Sequence, residues 1–335
     1  MRGFLSLAGK ISVGVLIAAI IGVFLAYYYW QQAYTAPGPV AAEGADHTIF
    51  SVERGMPLGA IARSLERRGL ISDSFVFTIG VRLSGGAGNM KAGEYAIPSQ
   101  ATMKEIARIL RDGDAILHKL TVAEGLTVAQ VLRMVEEHKA LSGELTLKPA
   151  EGTLMPETYL FQRGMPRDEL IEKMRQKKLS FLDEMWEKRS DNLPFDTPYE
   201  ALILASIVEK ETGVASERPL VASVFINRLR KGMRLQSDPT IIYGITGGEP
   251  LGRRIRRSEL ERETPYNTYK VSGLPPTPIA NPGRDSIEAV LSPPDTDYIY
   301  FVADGSGGHA FASSLSEHNR NVAKWRTVQR ERGLR

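Results

Sequence analysis

The sequence predicts an α+β protein: one N-terminal transmembrane helix, then a small βααβ subdomain, then a larger mixed α/β domain. Three observations carry this. Ile11 to Trp30 is apolar or aromatic apart from Ser12 and has no charge, the length needed to cross a bilayer. Behind it, short alternating stretches with a period of two are interleaved with longer stretches of helical period. Hydrophobic content of 43% and charged content of 24% are those of folded domains. The boundaries read as a cytoplasmic tail over 1–10, a membrane helix over 11–30, a linker over 31–47, the subdomain over 48–115 and the large domain over 116–335.

The membrane helix ends in Tyr27-Tyr-Tyr-Trp30, residues that favour the membrane–water interface. Arg2 and Lys10 precede it, and no Lys or Arg follows until Arg54. By the positive-inside rule the N-terminus is cytoplasmic and the remainder lies outside the cytoplasmic membrane. The linker is rich in Ala, Pro and Gly. In the subdomain, Thr48–Val52 alternates as a strand. Leu58, Ile61, Ala62 and Leu65 mark a helix, a second helix covers Ser74 to Leu83, Lys91–Ile97 alternates again, and a helix follows Thr102. The order strand–helix–helix–strand resembles a LysM-like module, a fold that binds amino-sugar polymers; on order alone a purely structural spacer fits as well.

The large domain opens with a strand at His118–Val122 and a helix from Thr127 to His138. An amphipathic helix spans Arg167 to Trp186. The run Ala201-Leu-Ile-Leu-Ala-Ser-Ile-Val208 is apolar on every face, which predicts a buried helix, with Gly213 as its stop. Another helix covers Ser216 to Lys231. Met233 to Tyr243 reads as a loop, and four prolines between Pro275 and Pro282 break up a later one. Tyr298–Val302 and His309–Phe311 form a hairpin about Asp304-Gly-Ser-Gly-Gly308, and a last helix starts at Ser314.

The buried helix ends in Glu209-Lys-Glu211-Thr. Residues two apart are rotated by about 200° on a helix, so the two carboxylates face opposite ways. One is expected in a cleft and the other in solvent or an ion pair; periodicity alone does not say which. A carboxyl in apolar surroundings at the negative pole of a helix resists ionisation, as a proton donor at neutral pH must. Ser206 and Lys210, four apart, imitate a Ser–Lys peptidase dyad, although a serine on a buried helix more often bonds back to the backbone.

Further motifs follow: Ala215-Ser-Glu-Arg218, Phe225-Ile-Asn-Arg-Leu-Arg230, Gln236-Ser-Asp-Pro239, Thr264-Pro-Tyr-Asn-Thr-Tyr269, Gly273-Leu-Pro-Pro276, Tyr300-Phe-Val-Ala-Asp-Gly305 and Gly308-His309. Together with the Glu-Lys-Glu-Thr block they resemble the membrane-anchored endolytic murein transglycosylases, the MltG or YceG-like family, over nearly the whole chain. Two departures are mild: Ser237 stands where members often have Thr, and Met155-Pro-Glu157 where an aromatic-Pro-Asp is usual. The resemblance implies cleavage of peptidoglycan glycan strands by Glu211, acting as acid and then base, with Glu209 in support. It also implies that Gln236, Ser237, Asp238, Tyr266, Asn267, Thr268, Tyr269, Glu157 and Tyr159 line the substrate cleft. Asp238 could instead stabilise an oxocarbenium-like charge or fix a turn. Tyr266 to Tyr269 could equally form a half-buried strand, and Glu157 and Tyr159 a helix-entry turn.

The expected partners are glycan strands, the membrane through one helix, and a peptidoglycan synthase as candidate. With no cysteine and no His-Glu-x-x-His pattern, neither metal nor cofactor is expected. A net charge of +3 without a basic arm argues against nucleic acid. The other function classes are a non-enzymatic tethered scaffold that binds peptidoglycan and a membrane-bound Ser–Lys peptidase.

Overall fold

The computed structural model describes residues 2–41, 45–85 and 90–333. The chain is mixed α+β and divides into two units, 1–118 with 160–165, and 119–159 with 166–335.

In the first unit, helix α1 (Arg2–Thr35) is followed by β1 (His47–Val52), α2 (Leu58–Arg67), α3 (Ser74–Leu83), β2 (Gly93–Pro98) and α4 (Met103–Asp112). Its stretch Ser12–Thr35 is long and apolar enough to span a membrane, and its most apolar window has no residue buried against protein. β1 and β2 pair antiparallel, from His47 opposite Pro98 to Val52 opposite Gly93. Phe50, Tyr95 and Ile97 from this ribbon close on Ile61, Leu65, Phe77 and Leu110 from the helices. Local signals fix the helix ends: Asp73 accepts hydrogen bonds from the Phe75 and Val76 N–H groups, and Thr102 with Glu105 makes a reciprocal capping box.

The linker expected from residue 31 does not begin there. α1 continues to Thr35 and sets Tyr34 in the core of this unit, stacked on Trp30 with ring centroids 5.3 Å apart. Trp30 Nε1 donates to the Val76 carbonyl (3.2 Å), and Gly38 N–H donates to the Gln100 carbonyl (3.1 Å). Gly38 is required by this close approach, since a Cβ there would lie 2.3 Å from the Ala101 carbonyl oxygen. Gly80 makes room for Tyr34, since a Cβ there would lie 2.2 Å from the ring. Gly80→Ala is expected to destabilise this unit by about 1–3 kcal/mol through overpacking. Thermal unfolding, with faster hydrogen exchange over 30–41, would report it; an unchanged melting curve would count against the docking of α1.

β3 (Leu117–Thr121) pairs with β4 (Thr158–Gln162). The second unit contains α5 (Val128–Glu137), α6 (Arg167–Glu187), α7 (Pro198–Glu211), α8 (Arg218–Arg230), α9 (Asp238–Thr246), α10 (Arg257–Glu261) and α11 (Arg284–Leu291). The hairpin β5 (Tyr300–Ala303) and β6 (His309–Ala312) and helix α12 (Leu315–Glu331) complete it. α7 is the central helix. Thr197 and Glu200 form its capping box with Pro198 in the first turn, and every residue from Ala201 to Val208 is buried. It packs against α6, α8 and α11.

Two readings need correction here, one helix is new, and one expectation is met. Gly213 does not stop α7: Thr212, in an extended conformation, is the cap, so Glu211 is the last helical residue. The loop expected over Met233–Tyr243 contains α9, because Pro239 sits in its first turn, where proline fits a helix. α11 follows the proline-rich stretch directly, its apolar face (Ile287, Ala289, Val290, Leu291) buried. As expected for a serine on a buried helix, Ser206 bonds back to the backbone and makes no dyad with Lys210. Ser206 Oγ donates to the Ile203 carbonyl (2.7 Å) and accepts from Ile279 N–H (2.9 Å), while Lys210 Nζ donates to the Gly125 carbonyl (3.2 Å).

Candidate active site

Glu211 stands half-buried at the C-terminal end of α7. Its Oε1 accepts a short hydrogen bond from Ser237 Oγ. Ser237 is fully buried at the start of α9 and is held from below: its N–H donates to Thr268 Oγ1 (2.9 Å), and Gln236 N–H donates to the Thr268 carbonyl (3.1 Å). Gln236 is left-handed (φ 52°), a conformation that costs a non-glycine residue about 1–2 kcal/mol. Thr240 Oγ1 lies 2.9 Å from Thr268 Oγ1 and closes the same cluster. The result is a hydrogen-bonded turn whose Ser237 hydroxyl donates its proton to Glu211.

Burial raises the Glu211 pKa to about 7. The Ser237 hydrogen bond opposes the rise, the Asp238 carboxylate adds to it, and His309 and Arg228 oppose it. Asp238 is itself steadied by Tyr269, whose hydroxyl donates to Oδ1 (2.8 Å). Burial, then the Asp238 bond, pushes the Tyr269 phenol upward, so it stays a donor. Arg228 is buried and fixed: Nε donates to the Ile299 carbonyl (2.7 Å) and Nη1 to the Leu235 carbonyl (2.6 Å).

Glu209 faces elsewhere. Its carboxylate, 5% exposed, pairs with Arg218 (3.2 Å) and accepts from Gly283 N–H (2.8 Å) and Ser286 Oγ (2.8 Å). Arg218 also reaches Glu124 and Asp285, both at 3.0 Å. Close by, Lys178 is completely buried with Nζ on the Pro282 carbonyl. Burial lowers its pKa to about 7, while Glu209 and Glu124 pull it back up. One glutamate is therefore the anion of a buried charge network and the other a carboxyl reluctant to ionise.

The remaining expected site residues divide. Gln236, Ser237, Asp238, Thr268 and Tyr269 are gathered about Glu211 as described. Tyr266 stands half-buried against Tyr243 (centroids 5.1 Å), its hydroxyl on Thr277 Oγ1 (2.8 Å). Tyr266–Tyr269 form no strand; they make a tight turn after α10. Asn267 is buried beneath it, its amide donating to the Glu259 (3.2 Å), Leu260 (3.1 Å) and Arg262 (2.6 Å) carbonyls. Asn267 thus caps α10 and holds the turn. Asn267→Ala is expected to lower stability by about 1–3 kcal/mol by stranding those acceptors, read by urea unfolding.

Glu157 and Tyr159 are drawn to other partners. Glu157 pairs with Lys177 (2.5 Å) and Arg284 (2.7 Å), and Tyr159 is buried with its hydroxyl on the Met155 carbonyl (2.7 Å). Tyr159 lies in β4, and Glu157 just precedes it, in place of a helix-entry turn.

Three residues beside Glu211 carried no assigned role in the sequence: Arg228, Glu217 and His309. Glu217 Oε1 accepts from His309 N–H (2.8 Å) and Oε2 from the ring Nδ1 (2.7 Å), and Thr212 Oγ1 lies 3.5 Å from Oε2. All three belong to quoted motifs, but nothing in their spacing shows that α8 and the β5–β6 hairpin meet at the end of α7.

The chain belongs to the YceG-like family, whose profile matches residues 50–324. It is similar to the endolytic murein transglycosylase of Bacillus subtilis (strain 168), 28% identical over 326 residues that cover 88% of this chain and 89% of that protein. The endolytic murein transglycosylase of Streptococcus pneumoniae serotype 2 (strain D39) is 28% identical over 347 residues, covering 89% of this chain; the match spans 62% of that longer protein. A crystal structure of a putative yceG-like protein from Listeria monocytogenes superimposes with a TM-score of 0.51 at 29% identity, covering 82% of this chain and 99% of that one.

Proposed function

We propose that this protein is an endolytic lytic transglycosylase. It cleaves the β-1,4 bond between N-acetylmuramic acid and N-acetylglucosamine inside nascent peptidoglycan strands and leaves 1,6-anhydro ends. Glu211 is the acid and then the base. The neutral carboxyl gives its proton to the glycosidic oxygen, the C1–O bond breaks with its electrons passing to that oxygen, and the muramic acid 6-hydroxyl closes on C1. The proton of that hydroxyl returns to Glu211, so no water is consumed. An acid that must become a base within one turnover is best served by a pKa near the working pH.

The observation that carries this reading is the half-buried Glu211 carboxyl with its pKa raised to about 7 by burial. Glycosidases that use a nucleophile or a bound water need a second free carboxylate facing the first. Here Glu209 is spent on Arg218, Gly283 and Ser286, and Asp238 shares its charge with Tyr269. The partly exposed rings of Tyr266 and Tyr269 suit sugar faces, and Gln236 and Asp238 suit sugar hydroxyls. The names of the similar proteins support the same chemistry.

The N-terminal helix anchors the enzyme in the cytoplasmic membrane with its N-terminus inside, which confines cutting to strands near the bilayer, where a peptidoglycan synthase would be a natural partner. The 48–115 region is LysM-like in its order of elements, which suits a glycan binder and a structural spacer equally.

The test uses the full chain in detergent with purified glycan strands and mass spectrometry of the products. Internal cuts ending in anhydromuramic acid are expected. Ends carrying an added water would indicate a hydrolase, and binding without new ends would indicate a tethered scaffold; either result rejects the proposal.

A further inference from the structure

Gln236 is held in a backbone conformation that its side chain does not favour. Its φ of 52° is left-handed, a region where only glycine is at ease. The neighbours do not let it relax. Leu235 and Ser237 on either side are fully buried. The Leu235 carbonyl accepts from Arg228 Nη1 (2.6 Å), and Arg228 is tied in turn to the Ile299 carbonyl (2.7 Å). Gln236 N–H donates to the Thr268 carbonyl (3.1 Å), and Ser237 N–H to Thr268 Oγ1 (2.9 Å). α8 and the 266–269 turn thus fix the segment together, and Ser237 Oγ donates to Glu211. Gln100 and Asn192 are left-handed too, but neither adjoins a residue bonded to Glu211. Glycine would take this conformation at no steric cost, so the turn alone does not call for glutamine. Strain kept beside reacting groups points to a use for the side chain. The residue is exposed, and among the described residues its side-chain amide has no hydrogen-bond partner.

We propose that Gln236 is a specificity-determining residue that reads an acetamido group of the glycan beside the bond being cut. This rests on the reading of the chain as a glycan-cleaving enzyme with Glu211 as its acid. A primary amide carries an acceptor oxygen and an NH2 donor in one plane, and an acetamido group carries an acceptor oxygen and an N–H donor. The two can therefore meet at two points, whereas a sugar hydroxyl engages through one atom. Asp238, two residues on, is an acceptor when ionised and already receives the Tyr269 hydroxyl (2.8 Å), so it cannot replace the amide in this role. Because the backbone of Gln236 is already fixed, binding has only its side-chain torsions left to order. The same turn touches Glu211 through Ser237. A sugar held by Gln236 is thus placed relative to the acid by two residues adjacent in the chain, which is how a binding contact becomes a gain in rate.

The test compares full-length wild type, Gln236→Gly and Gln236→Met on three substrates: purified glycan strands, the same strands chemically de-N-acetylated, and those strands re-acetylated. Melting temperatures are measured alongside. The wild type is expected to cut N-acetylated and re-acetylated strands with a kcat/KM about tenfold above that on de-N-acetylated ones, the size of one or two net hydrogen bonds. In both variants that ratio should fall to near one. Gln236→Met keeps the length and the backbone cost and removes only the amide, so it should melt with the wild type. Gln236→Gly removes the backbone cost as well, so it should melt at or a few degrees above the wild type. A wild-type ratio in Gln236→Met would show that the amide does not read the acetamido group. A Gln236→Gly melting temperature clearly below wild type would show that the side chain serves the fold. Either result overturns the proposal. Failure of the wild type to make anhydro ends on N-acetylated strands would instead reject the parent reading, and this role with it.

Discussion

Glu211→Gln is expected to lose catalysis and gain stability. The amide oxygen still accepts from Ser237 Oγ, so the local geometry is kept. What disappears is the transferable proton, and losing the general acid and base should slow the cut by about 10²–10⁴-fold. The stability effect runs the other way. A carboxyl whose pKa is about 7 in the folded chain, against 4.5 for the ordinary value, binds a proton more readily folded than unfolded. Between those two pH values the folded state holds more protons, so the carboxyl's contribution to stability falls as pH rises through the window. By pH 8 the wild type carries a penalty of about 3 kcal/mol that glutamine, having no charge to desolvate, does not carry. The variant should therefore melt several degrees higher above pH 7, and the difference should vanish below about pH 4.5. Thermal melts at pH 4 and pH 8 check this. An inactive variant that melts lower than wild type at both pH values would mean that Glu211 is a structural residue.

That signature was partly written in the sequence. An apolar run with no polar face, ending in Glu-Lys-Glu-Thr, showed that one carboxylate would be desolvated and that the two would diverge. It did not show which, because the answer lies on other elements. Glu209 is captured by α8 and α11 through Arg218, Gly283 and Ser286, and Glu211 meets the turn before α9 through Ser237. None of these partners stands at a helical or strand spacing from residues 209–211. The capped helices were legible for a local reason: Thr102, Thr127 and Thr197 each have Glu or Gln three residues on. α9 and α11 were hidden because proline lies in the first turn of one and just before the other, and the same residue marks a loop or a helix start according to what packs beneath it. The reach of α1 to Thr35 was hidden because the hole that Tyr34 fills is made by Gly80, a residue whose contribution is the absence of a side chain.

Glu209→Gln is expected to be the converse case: a large loss of stability, with catalysis reduced only as far as the end of α7 loosens. Glu209 is surrounded by donors. One oxygen takes the Arg218 guanidinium and the other takes a backbone N–H and a hydroxyl. An amide can accept on one side only, so its NH2 must face either the guanidinium or the Gly283–Ser286 pair, and a buried donor is stranded in both orientations. The charge matters as well. Without it, Arg218 keeps only Glu124 and Asp285, whose side chains are 41% and 62% exposed, and fully buried Lys178 loses the anion that most opposes its desolvation. Removing one partner from a buried ion pair costs about 3–5 kcal/mol, which for a domain of this size is a drop of roughly 10 °C in melting temperature. A side chain at Gly283 would displace Glu124, since a Cβ there would fall 1.8 Å from Glu124 Oε1. The network joins α6, α7, α8 and α11 at the point where α7 ends, so the residue two places from the proposed acid fixes where that acid stands. A Glu209→Gln variant as stable as wild type, by urea unfolding at pH 7, would show that the network is not needed to hold the end of α7.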